Sequence, residues 1–288
     1  MLLVSLVCLF YKMHIDTFNL KVNKVELAYD NLPTPLNGYK IGFVSDIHLG
    51  PSSSIDFLNL IIKELNSLNL DLLLLGGDYI WIRKHRVFSF KRNNLYSNTN
   101  NKINIRNIYK DIIDNFSKVE TKDGIIAIYG NHDNWLYPKI LKKFADNSKI
   151  RLGKGEVFNI KKGDALISVQ TFDDFWKTLP SKKDVYKKLG KNEFRILLAH
   201  NPDTISFLDR YFPTKYNLSL SGHTHGGQIK LPLIQRMSNT YYNENIKKLS
   251  VLKEDSTYHY TSTGLGFTSV PFRLNVPPEI AVFTLKKK

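Results

Sequence analysis

The chain has 288 residues, 42% of them hydrophobic and 12% aromatic, which excludes global disorder and leaves room for a sizeable core in one large domain or two. A formal net charge of +15 suits an anionic partner (a phosphate ester, nucleic acid or an anionic membrane), although a general bias toward Lys, Asn and Ile gives the same value. Cys8 is the single cysteine, so an intrachain disulfide and a thiolate zinc cluster are excluded.

From Met1 to Tyr11 the sequence is apolar apart from Ser5, and Lys12 ends the run. Eleven helical residues cover roughly 16 Å against a bilayer core of about 30 Å, so the run predicts a short hydrophobic anchor, or the tail of a longer one. A signal peptide would show a basic n-region and a small-residue cleavage site, and neither is present. Cys8 follows Leu6-Val7, a poor lipoprotein context. Lys12, Lys21 and Lys24 follow the run and no basic residue precedes it, which predicts a cytoplasmic body held at a bacterial cell membrane, peripherally or by its N-terminus. Residues 1–19 therefore read as a membrane-associating segment and 20–288 as a single domain.

The body reads as α/β. Lys21 to Ala28 alternates like a strand, Leu32 to Gly38 is a turn-rich connector, and Tyr39 to Ser45 is a second strand ending in Asp46-Ile47-His48. Ser53 or Ser54 can cap a helix whose apolar face is Ile55, Leu58, Ile61, Ile62 and Leu65. Asp71 to Leu75 is a buried strand ending in Gly76-Gly77-Asp78. Strand, helix, strand implies a βαβ unit whose parallel strands end on one side, so Asp46, His48 and Asp78 should converge at the edge where α/β sheets bind ligands.

From Trp81 to Arg106 there are seven Lys or Arg residues and no acid: a solvated insertion, or a basic lobe for anionic headgroups or a charged leaving group. Ile105 to Val119 reads as a helix with Ile105, Ile108, Ile112, Phe116 and Val119 on one side. Ile125 to Tyr129 is a buried strand that empties into the polar turn Gly130-Asn131-His132-Asp133. Pro138 opens a short helix, and short strands follow through Gln170. Phe194 to Ala199 is a strand ending in His200, and Leu218 to Leu220 one ending in Ser221-Gly222-His223-Thr224-His225. Tyr258 to Ser262 and Ile280 to Leu285 are the last strands.

Asp46 and His48 are two residues apart, as are His223 and His225; in extended segments each pair projects to one side. With Asp78, Asn131 and His200 they make seven oxygen and nitrogen donors and no sulfur, a set suited to Mn²⁺, Fe or Zn²⁺. Seven donors exceed the three or four protein ligands of one zinc site and match two ions about 3.5–4 Å apart, the arrangement of two-metal phosphoester hydrolysis.

The ordered set D-x-H, G-D, G-N-H-D, H and G-H-x-H, each at a strand end, resembles the calcineurin-like metallophosphoesterase superfamily from about Tyr39 to Leu285. The resemblance implies a four-layer αββα sandwich of two mixed β-sheets flanked by helices, with a dinuclear centre. By position it implies one ion on Asp46, His48 and His225, another on Asn131, His200 and His223, and Asp78 bridging both. It makes His132 the proton donor and transition-state stabiliser and Asp133 the acid that orients it. Pro33 to Gly38, Ser221 to Gln228 and the ending from Gly264 to Ile280 look like a bacterial, often membrane-associated branch. That branch includes enzymes that hydrolyse UDP-2,3-diacylglucosamine in lipid A synthesis, and general phosphodiesterases. Expected partners are thus a phosphoester or nucleotide-lipid substrate and a membrane surface. A nuclease is the charge-based alternative, opposed by the apolar N-terminus and the C-terminal motif. A non-catalytic scaffold is the other, opposed by a filled ligand set. Arg273 reads either as a substrate phosphate clamp or as a structural ion-pair partner. His14, His85 and His259 fit no motif, and Tyr241-Tyr242 reads as core packing ahead of its alternative, the lining of an acyl or nucleotide pocket.

Overall fold

Alternation in the strands decides the layering. The computed structural model describes residues 2–50, 54–82, 104–181, 185, 193–212, 216–231, 249–253 and 257–288. The basic stretch from 83 to 103, His85 and Tyr241-Tyr242 lie outside these residues.

The first sheet runs β1 (Lys21–Tyr29), β12 (Glu279–Lys287), β2 (Lys40–Val44), β3 (Leu72–Leu75), β4 (Ile125–Ile128), β5 (Ile150–Gly153). The second runs β10 (Leu249–Lys253), β11 (Thr257–Thr261), β9 (Leu218–Ser221), β8 (Glu193–Leu198), β7 (Ala165–Thr171), β6 (Val157–Lys162). Both are mixed: β2 to β5 pair parallel while β12 meets β2 antiparallel, and β7, β8, β9 and β11 pair parallel between antiparallel edges.

In β3, Leu72 and Leu74 pack into the core between the sheets, while Leu73 and Leu75 face the outer core. Ile126 and Ile128 split from Ile125 and Ala127 in the same way. Strands buried on both faces explain why these runs are continuously apolar rather than alternating. Outside the first sheet lie α2 (Ile55–Ser67), α3 (Ile105–Phe116) and α5 (Pro138–Asp146). Outside the second lies α6 (Pro202–Tyr211), packed through Ile205 and Leu208 on Leu197 and Ala199. The result is the four-layer αββα sandwich.

The helix faces and the Ser54 cap, which accepts from the Asp56 amide at 3.1 Å, agree with the sequence reading. The helix α6 was not foreseen, although Asn201 caps it and Pro202 starts it; β10 was not foreseen either. At the N-terminus the helix α1 (Leu2–Phe18) is longer than the apolar run, because polar residues after Lys12 continue it. Its 17 residues span about 25 Å, and no described helix is long and apolar enough to cross a membrane. Val4, Val7, Phe10, Tyr11 and Ile15 are exposed, while Asp16 and Thr17 dock on the body by accepting from the Asn275 and Arg273 amides at 2.8 Å.

Candidate metal centre

The carboxyl ends of β2, β3 and β4 lie side by side, and those of β8 and β9 lie side by side in the facing sheet. The chain leaves each of these ends through polar residues, so both edges deliver their side chains to one place. Close backbone packing narrows the gap between two of the exits. A Cβ added to Gly77 (φ +87°) would stand 2.7 Å from the Tyr129 carbonyl carbon, and one on Gly130 would overlap Asp78. Gly130 then caps a short helix, α4 (Asn131–Leu136), where the sequence suggested a turn.

Two donor groups result. Asp46, His48 and His225 form one, and Asp78, His200 and His223 the other. In the first, His48 Nε2 and His225 Nε2 face each other at 3.1 Å, and Asp46 Oδ1 stands 3.4 Å from His225 Nε2. In the second, Asn131 Oδ1 lies 3.0 Å from His200 Nε2 and 2.9 Å from His223 Nδ1. Asp78 Oδ2 lies between them, 3.5 Å from His48 Nε2 and 3.3 Å from His200 Nε2. All seven predicted donors are therefore brought together.

The way they converge differs from the expectation. Asp46, His48, Asp78, His223 and His225 all have φ between +46° and +69°, so the D-x-H and H-x-H pairs are left-handed rather than extended. Such conformations cost of order 1–3 kcal/mol each in non-glycine residues and cluster where function holds them. The ring backs are fixed by main chain: His200 Nδ1 lies 2.8 Å from Gly76 O and His48 Nδ1 3.3 Å from Ile80 O. Hydrogen bonds of this kind set the tautomer of a metal-ligating imidazole.

Burial and neighbours set the charges. Burial lowers His48 to about 3 and holds His225 well below the usual imidazole range, so both are neutral and have lone pairs to give. Burial opposes ionisation of Asp78, but the protonated His200 ring, 3.3 Å from Oδ2, wins and holds it well below the usual carboxylate range. Burial likewise opposes charge on His200, and Asp78 beside it raises it to about 10.

His132 is only partly buried, with Nε2 4.0 Å from Asp78 Oδ2 and its backbone N–H donating to Asp78 Oδ1 at 2.9 Å. Burial lowers its pKa, which leaves the ring neutral at pH 7. Asp133 does not lie behind it. Its carboxylate accepts from the amides of Asp78 (2.8 Å), Gly130 (2.9 Å) and Tyr79 (3.1 Å) and from the Tyr109 hydroxyl (3.3 Å). The reason is local geometry: consecutive helical residues diverge by about 100°, so neighbours do not face each other. Asp133 instead ties the exit of β3 to that of β4. Arg273 is fully buried, its Nε donating to Gly266 O at 2.8 Å and Nη1 to Val276 O at 3.1 Å, with Nη2 3.4 Å from His225 Nδ1. His259 is buried beside Ser221 and Thr261 and His14 sits on α1; neither joins the donor groups.

The model of the calcineurin-like phosphoesterase family matches residues 39–227, the span that carries every donor. The chain belongs to that family. It is a metal-dependent phosphoesterase, and its two donor groups are candidate sites for divalent ions. It is similar to the metallophosphoesterase YkuE of Bacillus subtilis, 27% identical over 279 residues that cover 96% of this chain and 89% of the relative. A Helicobacter pylori metallophosphoesterase is 28% identical over 275 residues; the match covers 93% of this chain but 64% of that longer protein. The UDP-2,3-diacylglucosamine pyrophosphatase LpxG of Chlamydia trachomatis is 23% identical over 304 residues, covering 93% of this chain and 90% of LpxG.

Three tryptophans that belong to none of the strand-end motifs crowd the site. Trp81 stands 4.7 Å from the His132 ring, Trp135 5.3 Å from it on another side, and Trp176 4.6 Å from His223, centroid to centroid. A signal existed: Trp81 follows Asp78 by three residues and Trp135 follows His132 by three.

Proposed function

We propose that this protein hydrolyses the pyrophosphate of a nucleotide-lipid, UDP-2,3-diacylglucosamine, at a bacterial cell membrane, with two divalent ions of which Mn²⁺ suits the site best and Fe or Zn²⁺ also fit. The observation that carries the reading is the place of Asp78 Oδ2, within 3.5 Å of a donor nitrogen from each group. The donors fit cations on their own terms. Two buried imidazoles, both kept neutral by burial, bring their Nε2 atoms to 3.1 Å from each other, and Asp46 Oδ1 stands 3.4 Å from His225 Nε2, so three potential ligand atoms converge on one gap. An ion among these atoms satisfies all three. The absence of sulfur favours Mn²⁺, Fe or Zn²⁺.

Asp46, His48 and His225 would hold one ion, Asn131, His200 and His223 the other, with Asp78 shared. When bound, the two ions offset charge on the phosphoryl oxygens and make water nucleophilic near neutral pH. His132, neutral and open to the site, donates an N–H hydrogen bond to a phosphoryl oxygen or to the leaving oxygen as charge develops there. The hydrogen bond from its backbone N–H to Asp78 Oδ1 places His132 relative to the donor groups, so much of the rate comes from position. Asp133 acts through that frame. Arg273, with Nε and Nη1 donating to the Gly266 and Val276 carbonyls, braces the loop whose Gly266 amide donates to the Asp46 carbonyl.

Two features support a lipid substrate. One is the similarity to LpxG. The other is α1, whose exposed apolar residues suit the headgroup boundary. Purified protein with Mn²⁺ should release UMP from UDP-2,3-diacylglucosamine faster than it cleaves simple phosphodiesters or nucleic acid. Equal rates on all of them would remove the lipid substrate. In parallel, Asp78→Asn should lose bound metal by mass spectrometry; full metal content in that variant would end the shared-ligand role.

A further inference from the structure

All three tryptophans of the chain lie around this one site, and they reach it from three separate segments. Trp81 leaves β3, Trp135 belongs to α4, and Trp176 follows β7. Packing does not explain them. Trp135 is 58% exposed and Trp176 37%, whereas tryptophan is highly buried on average. Their rings are linked with the candidate histidines into one continuous arc: His48 to Trp81 at 5.8 Å, Trp81 to His132, His132 to Trp135, Trp135 to Trp176 at 5.9 Å, and Trp176 to His223. The arc starts at one donor group, passes the candidate proton donor and ends at the other group.

The outer part of the arc is held in place. Asn134 Nδ2 donates to Asp173 Oδ1 at 3.0 Å, Lys177 Nζ to Asn134 Oδ1 at 3.4 Å, and the Trp176 amide to Asp174 Oδ1 at 3.2 Å. These bonds bind α4 to the segment after β7, and the two indoles lie nearly parallel, 14° apart. They form a flat, fixed aromatic surface beside the place where a phosphate would sit.

We propose that this surface selects phosphoesters that carry a nucleobase, with the base stacked on the Trp135–Trp176 pair and Trp81 closing the side nearest His132. The assignment rests on the phosphoester-hydrolase reading only for where the phosphate lies. Charge and shape choose the ligand. A quaternary ammonium group needs a gap between rings, and these two indoles are already in offset contact. The net charge of +15 also opposes a cation and favours a nucleotide. A nucleobase gains from a flat aromatic face whatever its sequence identity, by an amount that corresponds to about tenfold or more in affinity per stacked base. An alkyl chain has no use for planarity.

Two readouts test this, one independent of turnover. In the first, UMP, ribose 5-phosphate and dodecyl phosphate are titrated against indole fluorescence. UMP should quench the wild-type emission and the other two should not; Trp135→Phe should keep the effect and Trp135→Leu should lose it. In the second, uridine 5′-(p-nitrophenyl phosphate) is compared with its base-free ribose analogue, which has the same leaving group. The base-bearing ester should be favoured by about tenfold in kcat/KM. Trp135→Ala should bring the ratio close to one; because that side chain is mostly exposed, its removal leaves no buried cavity. Base-selective quenching without turnover of either ester would reject the hydrolase reading and keep the aromatic surface. Equal turnover of both esters without base-selective quenching would reject the aromatic surface and keep the hydrolase. A response to dodecyl phosphate in place of UMP would also overturn the assignment.

Discussion

Replacing Arg273 with methionine separates the two roles that the sequence left open for it. Methionine keeps most of the apolar stem and removes every guanidinium donor. The Gly266 and Val276 carbonyls, both reached by the fully buried side chain, would then lose partners that cost about 1–3 kcal/mol each to leave unmet. Part of that loss is returned, because burial already disfavours the charge and brings the Arg273 pKa down to about 10. A net destabilisation of about 2–4 kcal/mol follows. At about 2–4 °C per kcal/mol for a domain of this size, the unfolding midpoint should drop by roughly 5–15 °C. The change should also reach the first donor group. Gly266 N donates to the Asp46 carbonyl at 2.6 Å, and Arg273 Nη2 packs behind His225. Losing the support that this loop gives Asp46 should weaken metal affinity by about tenfold. Differential scanning calorimetry and a Mn²⁺ titration measure both effects. If the midpoint and the metal affinity stay at wild-type values while KM alone rises, Arg273 is a phosphate clamp and the bracing role is wrong.

Asp133→Ala should cost about 3–5 kcal/mol in a urea melt, because three buried amides and the Tyr109 hydroxyl lose one shared acceptor. Wild-type stability with only kcat reduced would restore the orienting role beside His132. His132→Ala should keep its full metal content and lose at least about 10²-fold in kcat; near-wild-type turnover would remove His132 from the chemistry. Asp78 raises His200 to about 10 against the opposing effect of burial, so His200 carries a proton at pH 7 that an incoming ion must displace. His48, lowered to about 3 by burial, carries none. Metal affinity should therefore rise with pH up to about 10, with roughly one proton released per protein at pH 7. Calorimetry in two buffers of different ionisation enthalpy counts that proton, and identical apparent enthalpies would contradict it.

Much of the architecture was legible because it is written in local patterns. Four leucines at 72–75 and the isoleucine-rich run at 125–128 can be satisfied only by burial on both faces. The apolar stripe from Leu58 to Leu65 fixes which side of α2 meets the sheet. Each chemically useful cluster follows such a strand, so the donors could be named before any contact was known. The sequence also held local signals that were passed over, such as Asn201-Pro202 opening α6.

What only the tertiary structure decided depends on groups far apart in the chain. Asp46 and His225 meet across 179 positions because two sheets present their carboxyl ends to one gap, and no periodicity encodes that distance. The left-handed backbone at five of the seven donors is likewise held from outside: aspartate and histidine tolerate it better than most residues, but five together at one site need surrounding structure to maintain them. Asp133 turned from His132 to the Asp78 loop because a short helix, not a turn, follows Gly130. The three tryptophans, spread over 95 positions, became one surface for the same reason. Local sequence specified which side chains leave the strands; the packing of one sheet on the other specified which of them share a site.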